Sequence, residues 1–145
     1  MAGLLGTNAP LQVDINLIVQ IVMFLIIGIG FIYKIRRKYK IHGSMMGIAV
    51  ILHVISFITV MGPSFSGGYE FLTTATSETG VQTIWVHVIA GAIAMLLGIF
   101  LVAAWALRPS NVAGCSRRKR IMDVTIGLWL VSLIFGITSY VIFYR

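Results

Sequence analysis

Four apolar runs, at about 15–33, 43–62, 82–107 and 121–144, take up most of this 145-residue chain. Each is long enough to cross the hydrocarbon of a bilayer, which takes roughly 20 apolar residues in a helix. A backbone in hydrocarbon has to satisfy its own hydrogen bonds, so runs of this length are read as helices. With 59% hydrophobic and only 10% charged residues, the chain has too little polar surface for a water-soluble fold. The expected architecture is an all-α, four-helix transmembrane bundle, a single integral-membrane domain over residues 1–145 with the lipid bilayer as its surroundings.

A net charge of +7 would suggest a nucleic-acid surface in a soluble protein, but here the basic residues are confined to two loops and the last position. Lys34, Arg36, Arg37, Lys38 and Lys40 fill the first loop; Arg108, Arg117, Arg118, Lys119 and Arg120 fill the third. Basic loops of this kind face the cytoplasm and meet anionic headgroups, so no nucleic-acid partner is expected. Asp14, Glu70 and Glu78 then fall in the opposite compartment with both termini. A multi-pass protein of the cell membrane is expected. The first 14 residues carry no basic side chain and no small-residue cleavage site follows the first run, so that span is read as retained. Cys115 is the only cysteine, which leaves no Cys-x-x-Cys signature for metal or covalent haem.

Polar and small residues inside the spans carry the remaining signal. Asn16 and Gln20 should face protein, because an amide in lipid lacks partners. Gly43 with Gly47, Gly91 with Ala94 and Gly98, and Ser132 with Gly136 form faces on which helix backbones can approach closely. Trp85 and Trp105 bracket the third span, and Tyr140 with Tyr144 reads as an outer aromatic belt. Gly62-Pro63 is expected to end the second span, leaving residues 63–80 as an outer loop that caps the helices or meets another subunit.

The second span carries His42 and His53, eleven residues apart. That is three turns and about 20°, so both imidazoles share one stripe with Met46, Ala49 and Ser56, separated by about 16 Å along the axis. If the span ends at Gly62, His53 lies nine residues from its outer end, and His87 lies five residues into the antiparallel third span. The difference of four residues is about 6 Å, close enough to expect both rings on one b-type haem iron, with Gly91 leaving shallow surface for the porphyrin. His42, at the basic edge near the level of Asp123, reads as a proton-exchanging or quinone-binding pair with that carboxylate. Copper held by histidine and methionine ranks behind haem, since Met23, Met45, Met46, Met61, Met95 and Met122 show no regular repeat. No hydrolytic constellation and no glycine-rich phosphate loop is present.

The runs KIHGSMMGIA, IWVHVIAGAIA and RKRIMDVTIGLWLVSLIFGITSYVIFY resemble a small four-helix membrane family known as domain of unknown function 420. The resemblance spans the second to fourth helices. It implies an accessory protein associated with respiratory oxidases, with His42, Met45, His87, Trp129, Gly136 and Tyr140 at the family's recurrent positions. The chain departs from the pattern at Arg118, where the family tends to have histidine, and His53 is outside it.

The leading expectation is therefore a redox-associated subunit that binds one haem through His53 and His87 and passes electrons to partner subunits. A non-catalytic accessory or assembly subunit of a larger respiratory complex is the alternative, and copper handling a third. The topology is directly testable: a Ser66→Cys variant should be labelled by an impermeant thiol reagent from outside intact cells. Labelling only after permeabilisation would reverse the orientation.

Overall fold

The computed structural model describes residues 3–107 and 117–145; Arg108 and Cys115 of the third loop lie outside these. Among the described residues, four helices are long and apolar enough to cross a membrane. The first, α1 (Leu11–Ile35), starts after Pro10, whose extended backbone cannot continue a helix backwards, and carries Asp14 in its first turn, where the helix dipole favours a carboxylate. It ends in a tight reversal. Arg37 adopts φ 58°, Lys38 N–H donates to Tyr33 O at 2.9 Å and Arg37 N–H to Lys34 O at 3.1 Å. This is the paired-bond helix stop that glycine usually makes, built here with an arginine, so the turn stays basic throughout.

The second span differs from expectation. Helix α2 (Tyr39–Ser56) passes through a π-helical turn (Phe57–Met61) into a short helix α3 (Gly62–Gly67). The whole forms one span, Tyr39–Gly67. Gly62-Pro63 does not end it. Pro63 occupies the first turn of α3, where a missing N–H costs little, and the widened π turn before it absorbs the break in hydrogen bonding. Helix α4 (Tyr69–Thr74) follows and folds back onto the next span: Leu72 is buried, its carbonyl accepts from Trp85 Nε1 at 3.2 Å, and Phe65 meets the Trp85 ring edge-on. The segment expected as a loop is thus a helical cap.

Helices α5 (Thr79–Ala106) and α6 (Lys119–Tyr144) form the tighter of two antiparallel hairpins. They approach through missing side chains. A Cβ at Gly136 would lie 2.8 Å from His87 Nδ1, one at Gly91 2.8 Å from Ser132 Oγ, and one at Gly80 2.8 Å from the Phe143 ring. The other hairpin pairs α1 with α2, where Gly30 admits Met46 and a buried polar relay joins Gln20 Nε2 to Ser56 Oγ (3.3 Å) and Ser56 Oγ to Asn16 Oδ1. Both amides face protein, as amides in hydrocarbon must.

The hairpins meet through α2 and α5 and through a small core of Met23, Ala94 and Trp129, against which Phe24 stacks on the indole at 6.3 Å between centroids. At the end away from the basic turn they are also hydrogen-bonded. Tyr140 Oη donates to Asp14 Oδ1 at 2.5 Å, Thr7 and Tyr140 hydroxyls lie 2.7 Å apart, Leu5 N–H donates to Asp14 Oδ2, and Asn8 N–H donates to Tyr144 O. Tyr140 makes these bonds while its ring lies 5.6 Å from that of Tyr144. Ile18, Leu25, Ile51, Ile58, Leu96 and Ile134 are exposed, as expected of side chains facing lipid.

Bulk on the α5/α6 seam should open it, because membrane helices associate through close packing with little hydrophobic drive between them. Gly91→Leu and Gly136→Leu are each expected to lower stability by about 1–3 kcal/mol, the cost of overpacking a close contact. The half-buried Leu97→Ala should cost less, and unfolding midpoints in detergent would check the order.

Candidate functional site

Helix register fixes which side chains share a level. Between α2 and α5, the glycine contacts pair Gly98 with Val50, Gly47 with Val102 and Gly43 with Trp105. The helices are antiparallel, so three steps up from Val50 to His53 match three steps down from Gly98 to Met95. His53 is therefore level with Met95. His87 lies eight residues further along α5, about 12 Å by helical rise. The second span runs past Pro63 to Gly67, which shifts every level drawn from its end, and His53 and His87 are still near enough for their rings to interact electrostatically.

A cavity of about 640 Å³ lies among α2, α5 and α6. Its deeper wall includes His53, Ala94, Met95 and Trp129, its middle Met46, Ala49 and Gly98, and its basic end His42, Trp105, Arg117 and Arg118. The volume falls in the usual range for small-molecule and cofactor sites, about 300–1,000 Å³. Among the described residues no carboxylate lines it.

The three histidines differ in what holds them. His42 is buried and its Nδ1 lies 2.9 Å from Gly30 O. A carbonyl only accepts, so Nδ1 carries the proton and donates, which leaves Nε2 with a lone pair in the neutral ring. His87 is clasped by α6 in the same way: Nδ1 donates to Ser132 O at 2.8 Å, and Ser132 Oγ donates back to His87 O at 3.0 Å. Its ring packs where Gly136 has no side chain, and it does not line the cavity. His53 is the exception. It is buried, it lines the cavity, and among the described residues its ring nitrogens have no hydrogen-bond partner.

The expected groupings are thus partly rearranged. His53 and His42 share one cavity, as their common stripe implied, while His87 bonds Ser132 and interacts electrostatically with His53. Gly91 sits against Ser132 Oγ, so the shelf beside His87 is filled by α6. Asp123 is exposed and outside the cavity lining, and the ring of His42 bonds Gly30 instead.

Sequence reasoning assigned two cavity residues other roles. Met95 is one of six methionines weighed for copper, and only the register sets it level with His53. Trp105, read as an interfacial anchor, has a buried Nε1 with no hydrogen-bond partner, the one such side-chain atom among the described residues. Its ring edge abuts Gly43, where a Cβ would fall 2.5 Å from Nε1. The glycine pair of α2 was visible as a packing face, but its partner was not. No family profile, no curated protein and no solved structure matches the chain.

Proposed function

We propose that this chain is a redox-associated membrane subunit that holds one b-type haem in the cavity among α2, α5 and α6, with His53 as an axial ligand. The observation that carries the reading is the His53 imidazole, buried in a membrane span, facing a cofactor-sized cavity and bonded to nothing among the described residues. A polar group in hydrocarbon needs a partner or a task, and an imidazole against a cavity is suited to iron.

The donor set fits. His53 and the Met95 thioether, level with it on the cavity wall, are the residues that would hold the iron, with His87 engaged by Ser132. Ala94 and Gly98 leave α5 shallow, and Trp129 closes the wall formed by α6. When bound, the haem supplies one-electron transfer; the chain sets its ligands, its burial and its exclusion of water. The resemblance to a family associated with respiratory oxidases supports a partner subunit within such a complex.

Protein purified with haem present should show a Soret band and a low-spin spectrum. His53→Ala should abolish the low-spin spectrum, Met95→Leu should turn it high-spin while haem remains bound, and His87→Ala should leave the ligation unchanged. Protein without a Soret band, or a low-spin spectrum that survives loss of His53, would sink the reading.

A further inference from the structure

His42 is held in a way that fixes which of its nitrogens can meet a ligand. The residue is only 3% exposed, and Nδ1 is committed to Gly30 O of α1 at 2.9 Å. The two nitrogens lie on opposite sides of the imidazole, so Nε2 points away from α1, toward the cavity among α2, α5 and α6 that His42 lines. Nε2 has no partner among the described residues, yet it is not sealed in as Trp105 Nε1 is, so it opens onto space.

The tautomer then sets the chemistry. With the proton on Nδ1, Nε2 of the neutral ring only accepts, so what belongs opposite it is a donor. The rest of the lining selects the charge of that donor. Among the described residues no carboxylate lines the cavity, and its charged members, Arg117 and Arg118, are cationic, which opposes an amine and favours a neutral hydroxyl. Met46, Ala49 and Gly98 continue the wall with apolar surface, so the hydroxyl belongs to a lipid-soluble molecule. Among such hydroxyls a phenol, with a pKa of about 10, is a stronger donor than an aliphatic alcohol.

We infer that this end of the cavity is a subsite for a lipid-soluble hydroquinone, whose phenolic hydroxyl donates to His42 Nε2 while its apolar body lies along Met46, Ala49 and Gly98. Three helical turns, about 16 Å, separate His42 from His53, so the inference uses the same cavity as the haem reading but does not rest on the iron. The oxidised quinone carries carbonyls where the hydroquinone has hydroxyls, and an acceptor facing an acceptor makes no bond. The arginines can donate to oxygen in either form. His42 is therefore what selects the reduced form.

Equilibrium dialysis of radiolabelled 4-decylphenol and of its methyl ether against the purified protein, at fixed detergent concentration, tests the subsite. Wild type should bind the phenol about three- to tenfold more tightly than the ether, the scale of one neutral hydrogen bond. Under anaerobic conditions decylbenzohydroquinone should displace the phenol more effectively than decylbenzoquinone by a similar factor. His42→Phe should remove both differences and leave the affinity for the ether unchanged. Equal binding of phenol and ether to wild type overturns the subsite, a result that needs no variant to fold, and so does a preference that survives in folded His42→Phe. Displacement by the quinone or by 1-decanol as effective as by the hydroquinone overturns the choice of ligand. A Soret band dependent on His53, in protein that binds phenol and ether equally, overturns the subsite and leaves the haem reading standing. A phenol preference that depends on His42, in protein without a Soret band, does the reverse.

Discussion

The close approach of α5 and α6 is the contact on which the rest of the structure depends. In hydrocarbon there is little to gain from moving apolar side chains away from lipid, so a bundle holds together where backbones fit closely and where polar groups find one another. Gly80, Gly91 and Gly136 provide the fit along this seam, and His87 with Ser132 provides the bonding. That clasp fixes the His87 imidazole through its Nδ1. It also makes one hairpin compact, so that the looser contact between hairpins is where empty space remains.

Polar accounting separates structure from candidate function in this molecule. Asn16, Gln20 and Ser56 satisfy one another, Asp14 is met by Tyr140 and the Leu5 amide, and Thr83 and Ser139 pair across the α5/α6 seam. Buried polar groups normally end in such arrangements. Against that background, the imidazole of His53 and the indole nitrogen of Trp105 stand apart, and both border the same cavity.

The spans and the basic loops were legible because hydropathy and charge are properties of the residues themselves. Asn16 and Gln20 facing protein was legible for the same reason: the cost of an amide in lipid does not depend on which neighbour relieves it. Register was not legible. Whether His53 stands level with His87 or Met95 turns on where the second span ends, and Pro63 reads as a stop unless the π turn before it is known. The partners of Tyr140, Asp14 and Thr7, were not legible because they are more than a hundred residues away in sequence. Local pattern names the residues that can pair; it does not choose among partners contributed by distant helices.

Fastening is uneven along the bundle. Three hydrogen bonds between the two hairpins, from Tyr140 to Asp14, between Thr7 and Tyr140, and from Asn8 to Tyr144, lie at the end opposite the basic turn. At the basic end the hairpins touch through packing that includes the Trp105 edge on Gly43, with the cavity between. Two stiff arms joined firmly at one end and merely resting together at the other behave as a clothes peg. A small spread at the jaws would need little disruption near the hinge, so the hairpins should part more readily at the basic end than at the end where Tyr140 meets Asp14.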